Sequence, residues 1–394
     1  MELKAPKLAD LKVKGKRVLI RVDFNVPMND SGQITDDTRI RAALPTLREL
    51  LARGAKPVLL LHMGRPKGQV VDAFRVEPVA KRLEEHLGSP VVYCPESIGD
   101  LAAAAIAAAP AGSCVMLENV RFHAGETKGD PELAASFAAL GDAFVGDAFG
   151  ASHRDHASVS GIARLLPSAA GSLMAKEVES FGRVLSKPAR PLVAVLGGAK
   201  VSDKLKVINN LLGRCDRLIV GGGMAYTFLA AQGHTVGTSL LEEDQIPMCR
   251  KALAHAKETG VELLLPVDHI VATRFAADAE PITCAVDIPE GHMGLDIGPK
   301  SRELFADAVR SAKTLVWNGP MGVFEMEAFR AGTETVGRAL AECQGYTIVG
   351  GGDSVAAISL LGLTDAVDHI STGGGASLEL LEGKELPGIT ALGS

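Results

Sequence analysis

Two lysines four residues apart follow a glycine pair near the middle of the chain, in Gly197-Gly198-Ala199-Lys200-Val201-Ser202-Asp203-Lys204. The apolar run Leu192–Leu196 in front of them predicts a buried strand, and the two glycines permit a tight turn after it. If a helix begins here, Lys200 and Lys204 lie on one helical face, about one turn apart. Free backbone N–H groups at a helix N-terminus, together with two ammonium groups, favour a polyphosphate ligand.

Known phosphate-binding fingerprints do not cover this segment. The chain contains no Gly-x-x-x-x-Gly-Lys-Ser/Thr loop and no Gly-x-Gly-x-x-Gly turn. Taken by itself, the segment is equally compatible with an ordinary glycine turn before a helix that carries two solvated lysines.

Short apolar runs alternate with helical patterns along the whole chain, which predicts parallel sheets covered by helices on both faces. We expect strands in the first half at 18–22, 58–61, 91–93, 115–117 and 143–145. In the second half we expect them at 192–196, 218–220, 262–265, 314–317, 347–349 and 369–370. Ligands of such sheets bind beyond the carboxyl ends of the strands.

The residues that follow the predicted strands differ between the two halves. In the first half they are charged or polar, with Asp23, Asn25, His62, Arg65, Glu118, Arg121, Asp147, His153 and Arg154. In the second half they are glycines, at 197–198, 221–223, 319, 350–352 and 373–375. Arginines bind small anions bidentately, and glycines let the backbone approach a larger ligand. We therefore expect a small anionic substrate on the first half and a nucleotide on the second.

Length and composition set the class of protein. A chain of 394 residues favours two domains, and its net charge of −6 gives no sign of binding to nucleic acid or to an anionic membrane. The six cysteines include no CxxC pair, which argues against a zinc site and a disulfide framework and is typical of the cytoplasm. We see no signal peptide and no apolar run of transmembrane length.

An amphipathic pattern followed by prolines, at 172–191, predicts an interdomain helix and hinge. An ordinary surface helix has the same composition. We expect one domain at 1–171 and the other at 192–376.

Nine motifs in family order resemble phosphoglycerate kinase over essentially the whole chain. They lie at 21–27 (RVDFNVP), 62–66 (HMGRP), 118–122 (ENVRF), 147–150 (DAFG), 197–204 (GGAKVSDK), 221–228 (GGGMAYTF), 318–325 (NGPMGVFE), 350–354 (GGGDS) and 371–376 (STGGGA). Two departures are Met63, where the family more often has Leu, and His292, where many members have Trp near the nucleotide region.

The resemblance implies two similarly sized α/β domains with a cleft between them, and a segment 377–394 that returns to the N-terminal domain. It implies transfer of a phosphoryl group between 1,3-bisphosphoglycerate and MgADP, giving 3-phosphoglycerate and MgATP, by a cytoplasmic monomer that closes by hinge bending. The nucleotide would carry Mg²⁺, with Asp353 nearby.

The resemblance also implies a role for individual residues. It places 3-phosphoglycerate against Asp23, Phe24, Asn25, Arg39, His62, Met63, Gly64, Arg65, Arg121 and Arg154. It places ATP or ADP against Lys204, Gly294, Glu325, Gly351, Gly352, Asp353 and Ser354. Arg39 and Lys200 would act on the phosphoryl group in flight, with the backbone of Gly373, Gly374 and Gly375 completing its cradle.

Two other classes remain as alternatives from the residues themselves. One is a two-domain binding protein that closes on a ligand without chemistry, and the absence of a signal peptide argues against the exported kind. The other is a dehydrogenase, against which the missing Gly-x-Gly-x-x-Gly argues.

Overall fold

The chain forms two compact units in the computed structural model, which describes residues 5–29 and 31–393. The N unit comprises residues 5–179 together with 385–393, and the C unit comprises Ser180–Lys384. The division falls inside the stretch 172–191. The segment that returns to the N unit begins at Glu385, eight residues later than the 377 expected from the sequence.

The N unit is built on one sheet of six parallel strands in the order β3-β4-β2-β1-β5-β6. The strands are β1 (Arg17–Val22), β2 (Lys56–Leu60), β3 (Val91–Cys94), β4 (Cys114–Leu117), β5 (Ala143–Asp147) and β6 (Ser168–Ala170). Its helices are α1 (Thr38–Ala52), α2 (Glu77–Leu87), α3 (Gly99–Ala108), α4 (Pro131–Ala138), the first part of α5 (Ser172–Leu185), and α13 (Pro387–Thr390). The central strands are buried along almost their whole length, as continuous apolar runs predict.

The C unit contains a second sheet of six parallel strands, in the order β9-β8-β7-β13-β14-β15. They are β7 (Leu192–Leu196), β8 (Arg217–Val220), β9 (Glu262–Leu264), β13 (Thr314–Asn318), β14 (Tyr346–Val349) and β15 (His369–Ile370). The helices after α5 are α6 (Leu205–Leu212), α7 (Met224–Gln232), α8 (Ile246–Thr259), α9 (Pro299–Arg310), α10 (Ala331–Glu342), α11 (Gly352–Leu360) and α12 (Gly374–Leu381).

A small antiparallel sheet in the C unit was not expected from the sequence. It has the order β11-β10-β12, with β10 (Asp268–Ala272), β11 (Ile282–Ala285) and β12 (Met293–Ile297). The outer strand β11 is largely exposed, so its sequence does not read as a buried run. Strand β6 was also missed, because three small residues carry little hydrophobic signal.

Helix α5 is anchored by side chains at each end. In the N unit, Asp147 Oδ1 accepts the backbone N–H groups of Leu173 and Met174 at 3.1 and 3.2 Å. In the C unit, the hydroxyls of Ser180 and Tyr346 are 2.9 Å apart. The amphipathic part of the predicted connector is the helix Ser172–Leu185, and residues 186–191 follow it outside any helix.

Candidate active site

The order of the C-unit sheet places a crevice at the end of β7. After β7 the chain adds β8 on one side of that strand, and it later adds β13 on the other side. The strand order therefore reverses between β7 and β13. Open α/β sheets bind ligands in such a crevice. A cavity of about 450 Å³ lies here, lined by the residues after both strands, among them Lys200, Lys204 and Asn318.

Glycine is required where the chain passes closest to itself in this crevice. A Cβ atom on Gly197 would lie 2.0 Å from the carbonyl oxygen of Pro320. Gly351 has a φ of +91°, and a Cβ there would lie 2.9 Å from Asn318 Nδ2. The glycine-rich strand ends thus keep backbone and side-chain polar groups at the cavity wall without a covering side chain.

The two lysines of the crevice do not share a helical face, so that prediction was wrong. Helix α6 begins only at Leu205, after both of them. The Ser202 backbone N–H and hydroxyl donate to Glu242 at 3.1 and 2.6 Å, which holds this segment as a separate turn. Lys200 is exposed at the cavity wall, whereas Lys204 points inward.

Lys204 reaches the end of β13. Its Nζ donates to the Asn318 side-chain oxygen and lies 3.4 Å from the Asn318 backbone oxygen. Burial lowers the pKa of Lys204 to about 8, although Asp353 and Asp203 oppose this effect. A buried ammonium whose own partner is a neutral amide is poorly compensated, and a phosphate anion would complete its charge pairing.

A second cavity of about 580 Å³ lies beside the first and shares Gly198, Ala199 and Asp353 with it. Its other lining is mainly apolar, with Tyr226, Leu240, Phe275, Met293, Leu295 and Val323 among the side chains. Gly294 and Glu325 also line it. An apolar pocket that opens into a glycine- and lysine-lined crevice fits a base and ribose continued by phosphates.

The expected nucleotide residues therefore divide between the two cavities. Gly294 and Glu325 line the larger one, Lys204, Gly351, Gly352 and Ser354 line the smaller one, and Asp353 lines both. The Ser354 hydroxyl accepts the backbone N–H of Gly319 at 2.5 Å and is fully buried.

The glycine run at the start of α12 is only partly at the crevice. Gly374 lines the smaller cavity. The Gly373 N–H donates to the Ser371 hydroxyl at 3.3 Å, and its carbonyl accepts from Ser377. Of the three expected cradle residues, Gly374 is thus the one at the cavity wall, and Gly373 already uses its N–H.

The N unit gathers cations beyond the carboxyl ends of β1, β2, β4 and β5. Burial, and after it the nearby Arg154, Arg21 and Arg65 cations, together lower the pKa of Arg121 to about 10, while Glu126 opposes them. Burial also lowers the pKa of His62, as do the same cations Arg21, Arg121 and Arg154. These groups are close enough to repel one another, so the cluster is a prepared site for an anion.

Hydrogen bonds fix the loops that carry this basic cluster. The Arg121 guanidinium donates to the Gly64 carbonyl at 2.8 Å. The Gly64 N–H donates to Asn25 Oδ1 at 2.9 Å, which joins the loops after β1 and β2. Arg39 donates to Asp23 at 2.9 Å from the start of α1, and its side chain is 42% exposed. Arg39 is therefore held near the strand ends but remains accessible.

Two expected substrate residues have buried side chains. Phe24 is fully buried and Met63 is 4% exposed, and both pack in the apolar core of the N unit. The Met63 carbonyl accepts from the Asn119 amide at 2.8 Å. These residues can contribute to a site only through their backbone, since their side chains belong to the core.

Three polar residues at these crevices were not assigned roles from the sequence. Arg21, fully buried, lies 3.0 Å from His62 Nδ1, and Glu126 lies in the same buried network. Asn318 holds Lys204 and is 2% exposed. All three lie within recognised motifs or near them, but nothing in their local spacing predicts contacts that span between 32 and 137 residues.

Comparison with known proteins gives one consistent result. The family model for phosphoglycerate kinase matches residues 8–384. The phosphoglycerate kinase of Moorella thermoacetica is 55% identical over 386 residues, covering 98% of each chain.

Solved structures agree with this match. The phosphoglycerate kinase structure from Coxiella burnetii superposes with a TM-score of 0.92 at 42% identity, covering 99% of each chain. That from Pyrococcus horikoshii OT3 superposes with a TM-score of 0.84 at 34% identity, covering 98% of each. With the motifs, the strand orders and these matches in agreement, the chain belongs to the phosphoglycerate kinase family.

Proposed function

We propose that the N unit binds the phosphoglycerate and the C unit the nucleotide of the phosphoglycerate kinase reaction. The chain is a phosphotransferase of glycolysis that moves a phosphoryl group between an acyl phosphate and ADP. The observation that carries the division is the basic cluster of the N unit, whose cations lie close enough to repel one another. It suits a small polyanion, whereas the C unit supplies the apolar pocket that a nucleotide base needs.

The acceptor in the ATP-consuming direction is a carboxylate, which explains the residues of the N unit. A carboxylate with a pKa of about 3.5–4 is already ionised at neutral pH and needs no general base. Asp23 is paired with Arg39 and Asn25 with the Gly64 N–H, so both are suited to positioning the glycerate. Arg65, Arg121 and Arg154 then bind the remote phosphate, and His62, which lies in the same cluster, is a further donor to the anionic substrate.

The phosphoryl group in flight is stabilised by cations that are accessible and whose charged form is not disfavoured by burial. Arg39 and Lys200 are exposed cations beside the two crevices, as is Arg65, to which we assign the remote phosphate. A loose, metaphosphate-like group is stabilised by such charges and by backbone N–H groups. Of the expected glycines, Gly374 is placed to supply one.

The residues present also fit a nucleotide-borne Mg²⁺. Asp353 is a carboxylate at the wall shared by both cavities, and Mg²⁺ usually binds one or two carboxylates together with substrate phosphates. The described residues contain no cluster of three or more His, Cys, Asp or Glu side chains that could hold a metal alone. The ion neutralises phosphate charge when it is bound.

We place this activity in the cytoplasm, in a monomer that works without nucleic acid or a membrane surface. All six cysteines are free thiols, which suits a reducing compartment. In the described part of the chain, no helix has the length and apolarity to cross a membrane.

An assay that couples ATP and 3-phosphoglycerate to a downstream dehydrogenase and NADH tests the proposal. Arg65→Ala and Arg121→Ala should raise KM for 3-phosphoglycerate about tenfold or more and leave KM for MgATP unchanged, because a charge-assisted hydrogen bond contributes about 1.5–3 kcal/mol. Lys204→Met should instead raise KM for MgATP and leave KM for 3-phosphoglycerate unchanged.

Arg17→Met and Lys206→Met are the matched controls. Arg17 lies on β1 but pairs with Asp142, and Lys206 is an exposed residue of α6. Loss of nucleotide affinity in Arg121→Ala, or of phosphoglycerate affinity in Lys204→Met, would refute the division of sites.

A further inference from the structure

A buried chain of hydrogen bonds runs behind the basic cluster of the N unit. The Ser158 backbone N–H and hydroxyl donate to the two oxygens of Glu126 at 2.9 and 2.5 Å. The Ser158 hydroxyl accepts from Arg21 Nε at 2.9 Å, and Arg21 Nη2 lies 3.0 Å from His62 Nδ1. All four residues are at most 7% exposed.

The direction of every bond in this chain follows from the chemistry of its members. A guanidinium has donors only, so Ser158 Oγ must accept from Arg21, and its one proton goes to Glu126. Both Glu126 oxygens then act as acceptors, as in a carboxylate; burial raises the pKa of Glu126, whereas the Arg21 and Arg121 cations and the two Ser158 hydrogen bonds oppose that rise. Glu126 supplies the counter-charge for Arg21, whose Nη1 also donates to the Val22 carbonyl at 2.5 Å.

The same logic fixes the imidazole at the far end. Because Arg21 can only donate, His62 Nδ1 must be an unprotonated acceptor. The ring is then neutral, its single proton is on Nε2, and that atom is the donor left for a ligand.

We propose that Arg21, held by Glu126 through Ser158, is a positioning residue that locks His62 as the neutral Nε2–H tautomer, so that Nε2 donates to the anionic substrate. The idea rests on the proposed role of His62 in binding phosphoglycerate. It assigns functions to Arg21 and Glu126 that go beyond packing. A locked tautomer presents a donor at all working pH values, and it keeps the imidazole from presenting a lone pair to an anion.

Local backbone structure supports the network. Residues Ala157–Gly161 form one turn of π-helix, a rare conformation that often occurs at functional sites. This turn presents both Ser158 groups to Glu126. An ordinary surface loop would have no need to bury an arginine and a glutamate together, since burial of two charges is costly.

Burial opposes the protonation of His62, and so do the nearby cations. They are Arg21 on β1, Arg121 after β4 and Arg154 after β5. Glu126, from the turn after Arg121, acts on Arg21 and Arg121. His156 lies 3.7 Å from Glu126, but burial and the nearby arginines lower its pKa to about 3, so it adds no cation at neutral pH.

Nitrogen NMR of the ligand-free, ¹⁵N-histidine-labelled protein tests the tautomer directly, with His62→Gln identifying the signals. We expect an unprotonated Nδ1 and a protonated Nε2 from pH 5.5 to 8, with no titration. Protonation of Nδ1 in the wild type at any pH in this range overturns the proposal, whether or not the enzyme is active. Absence of activity with a locked tautomer would instead contradict the proposed function.

Variants test whether Arg21 is the cause. In Arg21→Met the pKa of His62 should rise above its wild-type value, because one of the cations that oppose protonation is gone, while burial, Arg121 and Arg154 still hold it below its ordinary value. In Glu126→Gln, which loosens Arg21, the Nε2–H tautomer should be populated less completely than in the wild type. We divide the variant's kcat/KM for 3-phosphoglycerate by that of the wild type. Taking this ratio removes the pH dependence that comes from ionisation of the substrate itself, because both proteins share it. This ratio should be highest at pH 5.5 and fall toward pH 8, because the imidazolium that still donates is lost.

Arg17→Met is the matched control on the same strand, since Arg17 forms an ion pair with Asp142 away from the cluster. It should leave both the His62 signals and the pH profile unchanged. Arg21→Lys keeps a cation at this position but cannot donate to Ser158, the Val22 carbonyl and His62 at the same time. The positive charge should therefore be kept, whereas the tautomer of His62 should no longer be fixed. A His62 that stays locked in folded Arg21→Met would show that Arg21 does not position it.

Discussion

Arg39 is the residue for which kinetics should separate catalysis from binding. It is accessible and is paired with Asp23 at 2.9 Å. If it contacts the phosphoryl group mainly in the transition state, Arg39→Ala should lower kcat about 100- to 1000-fold and change KM for 3-phosphoglycerate little. Arg41→Ala is the matched control for steady-state assays, because Arg41 lies two residues after Arg39 on α1 and pairs with Asp37. Near-normal kcat with weaker binding in Arg39→Ala would assign the residue to ground-state binding.

Lys204 should link nucleotide binding to proton uptake. Its pKa of about 8 means that at pH 8–9 a substantial fraction of the ligand-free protein has a neutral amine there. A bound polyphosphate favours the ammonium and raises this pKa, so MgADP binding should take up protons at pH 8–9, and affinity should weaken as pH rises through 8. Titration calorimetry in buffers of different ionisation enthalpy measures the uptake. It should vanish in Lys204→Met and persist in Lys206→Met, and equal uptake in both variants would remove Lys204 as the source.

The N-terminus of helix α5 is bonded to a buried carboxyl group, Asp147, whose titration affects the free energy of unfolding. Burial raises the pKa of Asp147 to about 6, and its Oδ2 has no hydrogen-bond partner. The raised value means that the folded state binds more protons than the unfolded state between pH 4 and 6. Stability contributed by this group is therefore present at low pH and lost as pH rises through 6.

Replacing Asp147 by Asn should remove that pH dependence while keeping an oxygen for the α5 N-terminus. Between pH 4 and pH 7, the free energy of unfolding of Asp147→Asn should rise by about 1–3 kcal/mol relative to that of the wild type. Circular dichroism in urea should follow it, because Trp317, the only tryptophan, lies in the C unit and reports poorly on the N unit. Asp130→Asn, at the cap of α4, is the control. A constant difference across this pH range would mean that Asp147 is not the titrating group.

Strands could be predicted from the sequence where they are buried along their whole length, and less well where they are exposed or made of small residues. The buried strands of both six-stranded sheets were predicted to within two residues at either end, except for β6, because parallel strands read as unbroken apolar runs. The exposed edge β11 and the small-residue strand β6 give no such signal. Helix α6 starts late because Glu242, 40 residues away, captures the turn at Ser202, and no local pattern encodes that contact.

Motif chemistry identified the strand ends but not the charges buried behind them. Glycines and arginines after the strands are visible in sequence because parallel topology brings strand ends together. The Arg21–Ser158–Glu126 network depends instead on contacts that span 137 residues between Arg21 and Ser158 and 32 between Ser158 and Glu126. Lys204 and Asn318 are similarly 114 residues apart. Sequence spacing therefore predicts which edge of a sheet binds a ligand, whereas long-range burial determines the protonation state of the groups there.

At the scale of the whole molecule, the chemistry requires the two bound substrates to meet. The N unit and the C unit are separate compact bodies, and we propose one substrate on each. In-line phosphoryl transfer requires the reacting atoms about 3–3.5 Å apart, with water excluded. Either ligand alone contacts one unit and has little differential affinity for a closed state, whereas both together can bridge the units. We therefore expect hinge bending about the stretch 172–191 only when both sites are filled.

Small-angle scattering should record this closure as a smaller radius of gyration with 3-phosphoglycerate and a non-reactive MgATP analogue together than with either ligand alone. Arg121→Ala at a 3-phosphoglycerate concentration below its raised KM provides the matched control, because the nucleotide site is filled but the substrate site is not. Adding enough 3-phosphoglycerate to saturate the variant should restore the contraction. A radius that contracts fully with the nucleotide analogue alone would show that one ligand suffices, and that the two units do not depend on a bridge between substrates to close.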